Sequence, residues 1–288
     1  MDQSRDQQRC GVKGLAGLTM EKSGVRSTRL GALTLIEVLV VIAIISLLAS
    51  LLLPGLWSAR QQARAVVCRS NLQQIVMSNI YYSQDHKGTL VPGAAEFVKN
   101  LERWHGRRDH VSEAFEPSRG ALVDYLGPEE RIRQCPVFPV TELSSSNAAF
   151  ERGNGGYGYN NRYVGVRGRS RSDGAFVVDN DRAGAPIDRI RRAGETVMFT
   201  DSGFATRVLI EYSFAEPRFN PEYAGWRNDP SIHFRHRDLA NVAWVDGHAD
   251  AHSRTFSWKS GFYRGADPDR WSIGWFGDVD DNSLFDLD

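Results

Sequence analysis

The chain has no excess of charge in either direction: 35 Lys and Arg balance 35 Asp and Glu over 288 residues. Such a chain has no global field to draw it to nucleic acid, so no nucleic-acid partner is expected. Cysteine is scarce, three residues in all, and no Cys-x-x-Cys or Cys/His pair stands at zinc-ligand spacing, which argues against a structural zinc module. A G-x-S-x-G nucleophile turn is also missing. Asp201-Ser202-Gly203 follows Phe199-Thr200 without the first glycine, and reads as turn chemistry closing a strand over 196–203. Gly153 to Gly158 formally matches G-x-G-x-x-G, but Tyr159-Asn160-Asn161-Arg162 opens no apolar-periodic helix to receive a phosphate. That stretch reads as a glycine-rich turn feeding a strand over 162–166. No catalytic residue, no cofactor and no enzymatic activity are therefore expected.

Against these absences stands one long apolar run, Leu33 to Leu53, in which 15 of 21 residues are Leu, Ile or Val. At ~1.5 Å per helical residue it spans ~31 Å, which matches a hydrocarbon core of ~30 Å. Its aliphatic side chains favour insertion by roughly 5 to 9 kcal/mol, against no more than ~3 kcal/mol for the carboxylate of Glu37. A single membrane crossing is predicted. A cleaved secretory signal fits poorly, because the apolar part is too long and Pro54-Gly55-Leu56 follows it.

Residues 1–32 are polar and read as a leader that is disordered or removed; a start at Met20 gives the compact basic form MEKSGVRSTRLGA. Without its six Lys/Arg and three Asp/Glu the chain keeps 29 basic and 32 acidic side chains, a net of −3. Arg60, Arg64 and Arg69 beyond the run balance Lys22, Arg26 and Arg29 before it, so charge bias does not orient the segment. The residues Gly31-Ala32-Leu33-Thr34-Leu35-Ile36-Glu37 resemble the processing site of type IV prepilins and type II secretion pseudopilins. The resemblance implies cleavage by a prepilin peptidase between Ala32 and Leu33, N-methylation of Leu33, and pairing of Glu37 with the amino terminus of a neighbouring subunit during assembly. Two charges that are each costly in lipid attract one another strongly there.

From Pro54 to about Asp85 the pattern stays helical but no longer suits lipid. Ala59, Ala63, Val66, Val67, Leu72, Ile75, Val76 and Ile80 recur at mixed three- and four-residue spacing and predict one inward face. Pro54 is expected to kink the helix and Gly88 to stop it. The stretch 63–87 is similar to a pseudopilin-like subgroup with a Cys-x-x-Asn-Leu-x-Gln pattern, here Cys68, Asn71, Leu72 and Gln74. Once the leader and Cys10 are gone, Cys68 and Cys135 remain. They form either a disulfide or two separate buried thiols.

Near the end, Asp246-Gly247 between alternating segments predicts a tight type I′ hairpin, with both central residues at positive φ. Preceded by His236 it gives His-x9-Asp-Gly, and the spacing resembles the carboxy-terminal signature of a pseudopilin-like group named for H-X9-DG; Asn241 and His248 also fall where that group often has an Asn and a His. His236, Asp246, His248 and His252 have the chemistry of a zinc-like site. The favoured reading is instead a turn at Asp246-Gly247 with His236 bonded to the hairpin backbone. Asp278, Asp280 and Asn282 are weak candidates for Ca²⁺, with a solvated acidic tail preferred.

By these resemblances the fold class is α+β, a long amino-terminal helix packed on a mainly antiparallel sheet. Residues 1–32 are the leader, 33–53 the transmembrane segment, 54–87 its amphipathic continuation, and 88–288 an extracytoplasmic globular domain. The implied function is that of a pilin-like subunit in the inner membrane, assembling with other such subunits into a type II secretion-like pseudopilus. The alternative is a membrane-anchored ligand-binding module whose prepilin segment serves only for delivery.

Overall fold

In a computed structural model the described residues are 34–127, 134–138, 152–172, 175–223, 225–259 and 266–288. The leader, the processing residues Gly31, Ala32 and Leu33, and the serine-rich stretch 143–147 lie outside them. The chain divides into two compact units, Met1–Leu52 and Leu53–Asp288. The architecture is α+β, one long apolar helix followed by antiparallel sheets.

Helix α1 covers Leu35–Asp85 and continues through Pro54. In the first unit its residues are exposed except for Ala49, and Glu37 is their single charge. A reciprocal capping box opens the helix: Thr34 N and Oγ1 donate to Glu37 Oε2 at 2.8 and 2.9 Å, and Glu37 N donates to Thr34 Oγ1 at 3.2 Å. Ser46 and Ser50 return their hydroxyl protons to the carbonyls of Ile42 and Leu47, both at 2.7 Å. The polar side chains of an otherwise aliphatic helix are thus satisfied within it, as an apolar medium requires.

In the second unit α1 buries a face made of Cys68, Asn71, Leu72, Ile75, Val76, Ser78, Asn79 and Ser83. This corrects the expected face. Ala59, Ala63, Val66 and Val67 are exposed, and the fully buried seam starts only at Cys68. Two asparagines explain why apolar periodicity alone misplaces it. Asn71 Nδ2 donates to Tyr157 Oη at 3.0 Å, Asn79 Nδ2 donates to Tyr159 Oη at 3.1 Å, and Asn79 Oδ1 accepts from Val91 N at 2.9 Å. The helix ends with Lys87 and Gly88 at positive φ and a bond from Gly88 N to Ser83 O at 2.7 Å, a Schellman-type stop.

The central sheet has four antiparallel strands: β1 (Tyr157–Tyr159), β2 (Val197–Asp201), β3 (Leu239–Trp244) and β4 (Ala249–Ser253), in spatial order β4-β3-β2-β1. Tyr157 pairs with Asp201, Val242 with Thr200, and Ala243 with Ala249. Every residue of β2 is buried, as a strand covered on both faces must be. The aromatic core stacks on it, with Tyr159 and Phe199 rings 4.5 Å apart and Trp104 edge-on to Phe199 at 4.9 Å.

Three further expectations need correction. Residues 162–166 form turns rather than a strand: Asn160 O accepts from both Val164 N and Gly165 N, which coils the chain before it extends over Arg167–Ser170. Asp278 to Asp281 are exposed, as a solvated acidic stretch would be, but the last five residues are pinned. Leu284 O, Phe285 O, Asp286 O and Leu287 O accept from Val197 N, Asn160 Nδ2, Thr196 Oγ1 and Arg191 N, with Phe285 and Leu287 buried. At the β3–β4 hairpin only Gly247 has positive φ, +96°, and Gly247 N donates to Trp244 O while Trp244 N donates to His248 O. This is a three-residue loop, Val245-Asp246-Gly247, and not a two-residue type I′ turn. The type I′ geometry instead occurs before β3, where Arg237 and Asp238 have φ of 58° and 63° and His236 and Leu239 exchange backbone bonds.

Candidate functional site

The chemically richest cluster lies where α1 meets the sheet, and its hub is Asp201, the last residue of β2. The residue is fully buried. Its Oδ1 accepts from Arg235 Nη2 at 2.6 Å; its Oδ2 accepts from Asn241 N at 2.7 Å and Asn241 Nδ2 at 3.0 Å, and lies 3.2 Å from His236 Nε2. Arg235 also donates to Ser202 O at 3.0 Å and Gly156 O at 2.6 Å, so its fork is fixed by carbonyls from two strand ends. Asn241 reaches the helix: its Oδ1 accepts from Arg69 Nε at 3.3 Å. One carboxylate thus ties β2, β3, the turn before β3 and α1 into a single network.

A disulfide joins Cys68 on α1 to Cys135, with Cα atoms 5.2 Å apart and both side chains buried. Cys135 Sγ lies 3.3 Å from Arg235 Nε and 3.6 Å from His236 Nε2. Burial alone would push the Asp201 carboxyl up, but the Arg235 charge and the bonds from His236 and Asn241 outweigh it and hold it below the usual carboxylate range.

The signature residues divide between two places. His236 and Asn241 belong to the buried network; the ring of His236 faces Asp201, and only its backbone closes the turn. Asp246 and Gly247 sit beyond the six-residue strand β3, roughly 20 Å away at ~3.3 Å per residue. There Asp246 Oδ1 accepts from His248 N at 3.0 Å and lies 2.6 Å from His248 Nδ1. His252 pairs with Asp250 instead, at 2.9 Å. The four residues considered as a zinc-like set therefore do not converge. Nor are Asp280 and Asn282 of the late acidic trio free for Ca²⁺: Asp280 accepts from Arg227 at 2.7 Å, and Asn282 bonds Phe219 N, Phe219 O and Tyr163 Oη.

No family model, curated protein or solved structure matches this chain.

Two other features bear on chemistry. Ser213 Oγ lies 2.8 Å from His105 Nε2, but Ser213 and His105 are 0% and 1% exposed, so no substrate can reach this pair. A cavity of about 390 Å³ is lined by Trp244, His252, Thr255, Phe276, Asp278 and Leu284, among others. Its walls come from β3, β4 and the pinned final segment.

The buried histidines set the acid response. Burial, reinforced by Arg103 and Arg108, pushes His105 down to about 3; burial and Arg235 do the same to His233. Both stay neutral in the fold while their unfolded counterparts take up protons below pH ~6.5. Their contribution is present above that pH and is lost as pH falls towards 3. Asp286, raised to about 6 by burial, has the opposite sign and offsets one proton between about pH 6 and 4. Unfolding free energy measured by denaturant titration is expected to fall by roughly 1.4 kcal/mol per pH unit across that window. Replacing His105 with the non-titrating Gln should flatten this slope, and an unchanged slope would contradict the assignment.

Proposed function

We propose that the protein is a non-catalytic, membrane-anchored pilin-like subunit. It is processed at Ala32/Leu33 and assembles through α1 into a pseudopilus of type II secretion kind. The observation that carries this reading is the exposed, largely aliphatic start of α1 with the single charge Glu37 in its first turn. Such a surface suits lipid or the like helices of other subunits, and a carboxylate there calls for a partner. The capping box supports a double role for Glu37, ordering its own helix start while leaving lone pairs for a neighbour's amino terminus.

The disulfide favours one orientation where charge bias favours none. Bonded cysteines belong in an oxidising compartment, which supports an extracytoplasmic position for the unit beginning at Leu53. The binding-module alternative draws on the cavity beside Trp244 and His252. Amino-terminal sequencing and fractionation separate the readings. The mature chain is expected to begin at methylated Leu33, and Glu37→Ala is expected to be cleaved normally yet be lost from sheared filaments. A chain that starts elsewhere removes the processing claim, and Glu37→Ala filaments with normal content of this subunit remove the assembly claim.

A further inference from the structure

We propose that Cys68, Cys135, His236 and Asp201 form a zinc site when the disulfide is reduced, independently of any role in a filament. Sγ of both cysteines and Nε2 of His236 all lie within 4.8 Å of one another, and all three residues are buried. Two of the edges suit a tetrahedron. With Zn–S at ~2.3 Å and Zn–N or Zn–O at ~2.0 to 2.1 Å, the S···N edge is about 3.5 Å and the N···O edge about 3.3 Å. Cys135 Sγ stands 3.6 Å from His236 Nε2, and Asp201 Oδ2 stands 3.2 Å from the same nitrogen. The sulfur pair must open to an edge of about 3.8 Å, and the Asp201 carboxylate, which lies outside the group of three, must turn towards the sulfurs to complete four ligands.

Charge and position agree with this reading. Two thiolates and the Asp201 carboxylate carry three negative charges; a divalent ion and Arg235, 2.6 Å from Asp201 and 3.3 Å from Cys135 Sγ, carry three positive ones. A buried site needs that neutrality. The ligands come from α1, the segment around Cys135, the turn at Arg237-Asp238 and β2, which is why no ligand spacing exists in the sequence. The ring of His236 is placed by its Nε2 side, because its Nδ1 has no hydrogen-bond partner.

The chemistry balances. A dithiol gives two electrons and two protons to the Cys68–Cys135 bond, yielding two thiols and becoming a disulfide itself. Zinc then displaces both thiol protons, and His236 coordinates through Nε2 with its proton on Nδ1. Disulfide and zinc become interchangeable staples between the same two segments: zinc holds them while the thiols are reduced, and the covalent bond holds them once they are oxidised.

The test uses the full mature chain in detergent, reduced with a phosphine, which becomes its oxide and leaves no competing dithiol. Addition of Co²⁺ should give stoichiometric binding with a thiolate-to-cobalt charge-transfer band and intense visible bands, both abolished by zinc. The oxidised chain should give neither. His236→Gln should weaken binding by more than about tenfold, since even outer-shell losses reach that size, whereas His252→Gln should not. If reduction unfolds the chain, zinc should restore its near-ultraviolet circular dichroism. The proposal fails if the reduced chain shows no thiolate–cobalt band, if zinc does not restore a lost fold, or if His236→Gln binds as tightly as the wild type.

Discussion

Replacing Cys68 and Cys135 together with alanine is expected to destabilise the globular unit by about 4 kcal/mol, the chain-entropy value for cross-linking residues 67 positions apart. For a unit of this size that lowers Tm by roughly 8 to 16 °C. The effect is large because, among the described residues, few other ties hold the Cys135 segment. Cys135 N donates to Gly155 O at 3.0 Å, and Phe138 packs near His233 with ring centroids 6.0 Å apart. Both cysteines are buried, so alanine leaves only small voids and the loss reflects mainly the missing cross-link. Thermal unfolding of the mature chain with a chelator present measures it. A loss below about 1 kcal/mol would show that the bond constrains little beyond what the contacts already fix.

Much of α1 could be read from the sequence because its signals are redundant: length, aliphatic content and Glu37 all point the same way. β2 and β3 were also legible, since Val197–Asp201 and Leu239–Trp244 carry the apolar runs that precede Asp201-Ser202 and Asp246-Gly247. The site was far less legible. Asp201 reads as a turn former because Asp-Ser-Gly is turn vocabulary, and nothing local says that Arg235 and Asn241, 34 and 40 positions away, will enclose it. The turn at Arg237-Asp238 hides for a related reason. Its positive φ values fall on residues without the glycine that normally advertises such geometry, and are held by the exchanged bonds of His236 and Leu239. Asp246-Gly247 carries the louder signal but performs the humbler task of closing a loop. The seam of α1 was misread at Val66 and Val67 because asparagines, counted as polar, do the inward-facing work at Asn71 and Asn79.

Truncating Asp201 is the sharpest probe of how these pieces depend on one another. Asp201→Ala leaves the Arg235 guanidinium with its side chain 3% exposed and no counter-charge, and it removes the Oδ2 acceptor of Asn241 N and the nearer of two acceptors of Asn241 Nδ2, whose other is Ala65 O at 3.5 Å. Breaking a buried pair in this way costs about 3 to 5 kcal/mol, because the abandoned charge remains desolvated. Asp201→Asn should cost less, since an amide oxygen still accepts from Asn241 N. Pairing Asp201→Ala with Arg235→Met should recover part of the loss, since no orphan charge then remains. Three denaturation curves and a double-mutant cycle check this ordering. A loss under about 1 kcal/mol for Asp201→Ala, or no recovery in the double variant, would mean that the carboxylate is not the hub joining α1 to the sheet. The ordering should also collapse in acid. The lowered Asp201 pKa makes its contribution present above the unfolded value of ~3.9 and lost as pH falls through the folded one, where wild type and Asp201→Asn should converge.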